Sequence, residues 1–106
     1  MRNINQLIVE RLAREKSLRP IHLKDALETL MEGDTRAGLI MIRNLVNAMG
    51  GFSDLAAYLN KSPKSVMRML SPDGNPTTEN IFLIIHYLLG QIGADIKIQR
   101  KRAVCG

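Results

Sequence analysis

Cysteine and histidine are scarce in this chain, and their scarcity excludes most sites for metals and covalent catalysis. The single cysteine among 106 residues, Cys105, cannot form an internal disulfide or supply a zinc cluster, and we assign it no role. His22 and His86 lack the spacing of metal ligands, so we expect structural or surface roles for both. We find neither a paired nucleophile and base nor a glycine loop that cradles phosphate. We therefore expect a protein that is not an enzyme and needs no cofactor.

Long apolar runs are also missing. The chain has no run of about 18 uncharged apolar residues, the length of a membrane span, and Glu10 and Arg11 interrupt the region where a signal peptide needs its apolar segment. The content of 45% hydrophobic and 24% charged residues is typical of one soluble globular domain. We expect a cytoplasmic protein with no membrane contact.

Positive charge is absent from a long internal part of the chain. No lysine or arginine occurs between Arg68 and Lys97, although the net charge is +5. Residues 1–20 carry +3, 21–51 carry −1, 52–70 carry +2, 71–96 carry −3 and 97–106 carry +4. This segregation favours a polyanionic partner on one surface, but charged tails around a neutral domain explain it equally well.

Apolar residues recur at helical spacing through most of the chain. The pattern predicts a helix from about Pro20 to Gly33, a second capped by Asp34, and a third that starts near Thr77. Their predicted core positions are Leu23, Ala26, Leu27, Leu30, Met31, Leu39, Ile42, Leu45, Val46, Met49, Ile81, Ile84, Ile85 and Leu88. We expect an all-α fold of about five helices around one core.

Residues 52–70, "FSDLAAYLNKSPKSVMRML", read as two short helices that meet at a sharp turn. Ser53 and Ser62 suit the two N-caps, and Pro63 fits the first position of the second helix. Asn60 tolerates the positive φ that such a turn requires, and Ala56 is small enough for the helix crossing. This is the pattern of a helix-turn-helix, with Leu55, Leu59, Val66, Met69 and Leu70 as its shared core.

Both ends of the chain and the last helix indicate further contacts. Residues 1–19 form a predicted helical extension that either packs on the central domain, residues 20–95, or protrudes from it. Ile96 and Ile98 alternate with polar residues, which predicts a short strand within 96–106 that needs a second strand to pair with. Surplus apolar residues on the last helix, namely Phe82, Leu83, Tyr87 and Leu89, also favour a two-fold homodimer.

The stretch from Phe52 to Met69 resembles the helix-turn-helix of lambda-repressor-like proteins. Ala56 and Val66 match the pattern, and Asn60 replaces the usual glycine. More widely, "LKDALETLMEGD", "LVNAMGGFSDLAAYLNKSPKSVMRMLSPDGNPTTENI" and "DIKI" resemble the HigA-type antidote proteins across roughly residues 20–98. That family implies a small DNA-binding antitoxin that represses its own operon and neutralises a RelE-like toxin.

A helix-turn-helix places its second helix in the major groove, which defines candidate contacts here. Residues expected to point outward are Pro63, Lys64, Ser65, Met67 and Arg68. We predict that Arg68 and Lys64 read bases, whereas Met67 contacts a thymine methyl or is simply exposed. Side chains, backbone N–H groups and the helix dipole would hold phosphates at Lys61, Ser62, Asn75 and Thr77. Alternatively, Lys64 and Arg68 form an ordinary solvated face, and Asn75 and Thr77 only shape the turn and cap the next helix.

Three functions remain open from the sequence. The first is the antitoxin described above, bound to double-stranded DNA as a dimer. The second is a helix-turn-helix transcriptional regulator with no toxin partner, which a neighbouring toxin gene would distinguish from the first. The third is a helical protein-interaction module that does not bind DNA, which salt-sensitive binding to duplex DNA would exclude.

Overall fold

The computed structural model describes residues 3–100, and regular structure in this part of the chain is entirely helical. The helices are α1 (Ile4–Arg14), α2 (Arg19–Met31), α3 (Thr35–Ala48), α4 (Ser53–Leu59), α5 (Pro63–Met69) and α6 (Thr78–Ile92). A 3-10 turn, Lys16–Leu18, joins α1 to α2. The all-α prediction is confirmed, with six α-helices where about five were expected. None of the helices in this range is long and apolar enough to cross a membrane.

Short-range hydrogen bonds set most helix starts. Asp34 accepts from the Ala37 N–H at 3.2 Å at the start of α3, as the sequence predicted. Ser53 was expected to cap α4, and that prediction is wrong: Ser53 is the first helical residue, and Phe52 occupies the N-cap without a side-chain hydrogen bond. Phe52 is buried in the core, so hydrophobic packing positions the start of α4.

One core joins all six helices. Its fully buried large side chains are Leu23, Ile42, Leu45, Leu55, Val66, Leu70, Ile84 and Leu88. Met31 was expected among them but is 77% exposed. It is the last residue of α2, and Gly33, with a φ of 91°, turns the chain away immediately afterwards, so Met31 stays in solvent.

Helix α3 packs against α2 at a glycine. Gly38 of α3 is buried, and a Cβ atom at this position would lie 2.5 Å from Leu30 Cδ2 of α2. A larger residue at position 38 would force the Leu30 side chain to move.

Helix α1 packs on the body, which decides between the two alternatives for the N-terminal extension. Leu12 is buried, and Ile8 and Val9 pack against the core. The Arg19 side chain donates from Nε to the Leu12 carbonyl at 2.9 Å and from Nη2 to the Ala48 carbonyl at 3.5 Å. One guanidinium thus joins the end of α1 to the end of α3.

The chain beyond α6 has no regular secondary structure in residues 94–100. Ile96 and Ile98 are 57% and 95% exposed. Their predicted strand requires a partner strand from a second copy, so it stays a prediction for the dimer. Cys105 and the last basic residues, Lys101 and Arg102, lie outside the described residues.

Candidate nucleic-acid interface

Helices α4 and α5 meet at a left-handed turn. Asn60 has φ 56° and ψ 45°, and is the one non-glycine residue with positive φ in the described part of the chain. The Lys61 N–H donates to the Ala56 carbonyl at 2.9 Å, and the Asn60 N–H donates to the Ala57 carbonyl at 3.1 Å. These bonds satisfy carbonyls at the end of α4 while the chain reverses. The predicted role of Asn60 is confirmed.

The two helices share the core that the sequence predicted. Ala56 is 1% exposed, and Leu55, Val66 and Leu70 are fully buried. Leu59 and Met69 are partly buried and pack against the same cluster. Burial on this side leaves the opposite side of α5 in solvent.

The start of α5 is held by two serines. Ser62 Oγ accepts from the Ser65 N–H at 3.2 Å and lies 2.9 Å from Ser65 Oγ. Pro63 occupies the first turn, where its missing N–H leaves no hydrogen bond unmade. The predicted cap at Ser62 is confirmed, and both hydroxyls have a structural role whether or not they also contact phosphate.

The outer face of α5 is basic and unobstructed. Lys64 and Arg68, four residues apart, are exposed, as is Met67 at 39%. Lys61, in the turn before α5, is exposed as well. Within residues 3–100 none of the three basic side chains forms an ion pair or a hydrogen bond. All three remain available to an external anion.

The loop after α5 is tied to the end of that helix. Ser71 Oγ donates to the Arg68 carbonyl at 2.7 Å, and the Gly74 N–H donates to the Ser71 carbonyl at 2.8 Å. A Cβ atom at Gly74 would lie within 3.0 Å of backbone atoms of Arg68 and Met69, so this close turn requires glycine.

Arg36 of α3 holds the same loop from outside. It donates from Nε to the Pro72 carbonyl at 3.2 Å and from Nη2 to Asp73 Oδ1 at 3.1 Å. The sequence analysis missed Arg36. Its partners Pro72 and Asp73 lie 36 and 37 residues further along the chain, and such distant contacts leave no local sequence pattern. These two contacts join the start of α3 to the loop between α5 and α6.

Asn75 and Thr77 lie at the end of this loop, before α6. Both are exposed, and Thr77 Oγ1 accepts from the Asn80 N–H at 3.1 Å as the N-cap of α6. The capping alternative is therefore confirmed for Thr77, and a phosphate contact at either residue stays a prediction.

Residues 3–100 contain no group of three or more histidine, cysteine or acidic side chains arranged to hold a metal ion. In comparisons with known proteins, no family model matches the chain, and no curated protein or solved structure matches it significantly. The resemblance to antidote proteins consequently stays a prediction from sequence motifs.

Proposed function

We propose that this protein binds double-stranded DNA in a sequence-specific manner, with α5 as the recognition helix. The observation that carries the proposal is the exposed face of α5, where Lys64 and Arg68 have no partner in the described part of the chain. The left-handed turn at Asn60 and the Ser62 cap fix the orientation of this helix. An α-helix held in this way fits the major groove.

The side chains of α5 suit different parts of the duplex. Arg68 can donate two hydrogen bonds to guanine O6 and N7, which is how arginine distinguishes guanine from other bases. Lys64 meets a base edge or a phosphate. Lys61 in the preceding turn suits a phosphate contact, which positions the helix but carries no sequence information.

We further propose a homodimer, because one short helix reads too few base pairs for useful specificity and two half-sites overcome that limit. Phe82 and Leu83 on α6 are 57% and 36% exposed, which is consistent with a face covered by a second subunit. Tyr58 and Tyr87 extend the apolar area, with ring centroids 5.2 Å apart.

The biological role that best fits the sequence motifs is an antitoxin that represses its own operon and neutralises a RelE-like toxin. A regulator with the same DNA chemistry and no toxin is the alternative. A small basic protein encoded in the adjacent gene would favour the first, provided that it co-purifies with this chain and loses its toxicity on binding.

Two alanine variants test the assignment of α5. Arg68→Ala should lose about 1–3 kcal/mol of operator binding and relax base preference at one position per half-site. Lys61→Ala should weaken binding to all duplexes alike and lower the salt dependence by about one phosphate per subunit. The measurement is a salt titration of affinity for a selected operator and for random duplex.

The comparison between the variants makes the test specific. Equal losses on operator and random DNA for Arg68→Ala would make Arg68 a positioning residue. No effect of either variant would show that α5 does not enter the groove.

A further inference from the structure

Arg36, at the start of α3, contacts the loop after α5 with only one edge of its guanidinium. Nε donates to the Pro72 carbonyl at 3.2 Å, and Nη2 donates to Asp73 Oδ1 at 3.1 Å. These two nitrogens share one edge of the planar fork. The outer edge, with one N–H on Nη1 and one on Nη2, makes no hydrogen bond within residues 3–100. A second acceptor can therefore bind there while the first edge keeps its contacts.

The ion pair between Arg36 and Asp73 lies in solvent. The two side chains are 67% and 92% exposed. An ion pair this exposed adds little to the stability of a fold, because water screens the two charges and ordering the side chains costs entropy. The two hydrogen bonds nevertheless define where the guanidinium lies relative to the loop, and its outer edge is accessible to a ligand.

The loop that Arg36 contacts connects the proposed recognition helix with a candidate phosphate contact. Asp73 lies two residues before Asn75, so their Cα atoms are at most about 7.6 Å apart. Gly74, between them, packs against the end of α5, because a Cβ atom at Gly74 would lie 2.8 Å from the Arg68 carbonyl oxygen. Arg36 is thus attached to the short segment that follows the proposed base-reading residue.

We propose that Arg36 is a further phosphate contact, which places the outer edge of its guanidinium against the DNA backbone. Phosphate suits this edge, because two adjacent N–H groups can bind two of its oxygens at once. Such a contact carries no sequence information, so it adds affinity for any duplex. The inference rests on the proposed DNA binding by α5, and it adds a residue of α3, outside the helix-turn-helix, to that interface.

The experiment is a salt titration of affinity for a selected operator and for random duplex. Arg36→Gln should weaken binding to both about three- to tenfold per subunit, the effect of one lost contact, and lower the salt dependence by about one phosphate per subunit. Arg36→Lys keeps the charge without the fork. It should therefore keep the salt dependence of the wild type and lose only part of the affinity.

Arg11→Gln is the matched control. The Arg11 side chain is 64% exposed and forms an ion pair with Glu15 at 3.5 Å. It lies on α1 beside Ile21 and His22 of α2, whereas Arg36 lies beside the loop after α5. The control therefore removes the same charge from a similarly exposed ion pair elsewhere on the surface. Its affinity for DNA and its salt dependence should stay close to those of the wild type.

The outcomes separate this contact from the proposed function. Equal losses in Arg36→Gln and Arg11→Gln would show a general effect of charge, and a loss in Arg36→Gln with unchanged salt dependence would show that Arg36 only holds the loop. Either result overturns the phosphate contact. Unchanged binding in Arg36→Gln, together with relaxed base preference in Arg68→Ala, would overturn it and leave recognition by α5 intact. If the wild type bound no duplex, both proposals would be wrong.

Discussion

Because Asn60 lies in a left-handed turn, we expect alanine and glycine to affect stability in opposite ways at position 60 and at position 57 in α4. At φ 56° and ψ 45°, a residue with a Cβ atom is less stable than in a right-handed helix by about 1–2 kcal/mol, and asparagine offsets part of this through its short polar side chain. We expect Asn60→Ala to cost about 1 kcal/mol. Asn60→Gly relieves the strain but adds freedom to the unfolded chain, so its stability should stay within about 0.5 kcal/mol of the wild type.

Ala57 provides the matched control. It is exposed within α4, where backbone angles are those of a right-handed helix, so Ala57→Gly should cost about 1 kcal/mol. The protein should therefore be more stable with alanine than with glycine at position 57, and less stable with alanine than with glycine at position 60. For a domain of this size, 1 kcal/mol corresponds to a change of about 4–8 °C in Tm.

Thermal and urea unfolding followed by circular dichroism at 222 nm measure these differences. If Asn60→Ala were as stable as Asn60→Gly, position 60 would not be left-handed in solution. The turn that orients α5 would then have a different geometry, and the assignment of its exposed face would fail with it.

Other predictions concern the crossing, the assembly and alkaline pH. Ala56→Leu should overpack the α4–α5 crossing and cost about 1–3 kcal/mol, so unchanged thermal stability would disprove that crossing. Sedimentation at micromolar concentration should show a dimer that Phe82→Glu weakens; a monomer both free and with DNA would contradict the proposed assembly. Burial, and then the nearby Asp54 carboxylate, raise the pKa of Tyr87 above its ordinary value of 10.0. As pH rises, the Tyr87 phenol therefore loses its proton in the unfolded state before it does so in the folded state. The free energy of unfolding, measured in urea, should fall as pH rises above 10.0, and Tyr87→Phe should make this fall smaller. If the free energy of unfolding changed equally with pH in the wild type and in Tyr87→Phe, this role of Tyr87 would be refuted.

Features that depend on a few neighbouring residues were predictable from the sequence. The caps at Asp34, Ser62 and Thr77 each involve an N–H three residues ahead, and the turn at Asn60 depends on the backbone preference of one residue. Ser53 shows the limit of such reasoning, because burial of Phe52 decides where α4 begins. The same local patterns identified the exposed face of α5, since its apolar residues leave only one side for the core.

The sequence by itself determined most of the helices, the caps at Asp34 and Ser62 and the candidate reading face, because these depend on hydrogen bonds and side-chain spacing within a turn or two. Tertiary structure alone decided that α1 lies on α3, with Asn5 and Asn44 paired across 39 positions, and that Arg36 holds the loop after α5. Contacts at such separations depend on which helix faces bury the most apolar surface together, and that is a property of the whole packed chain.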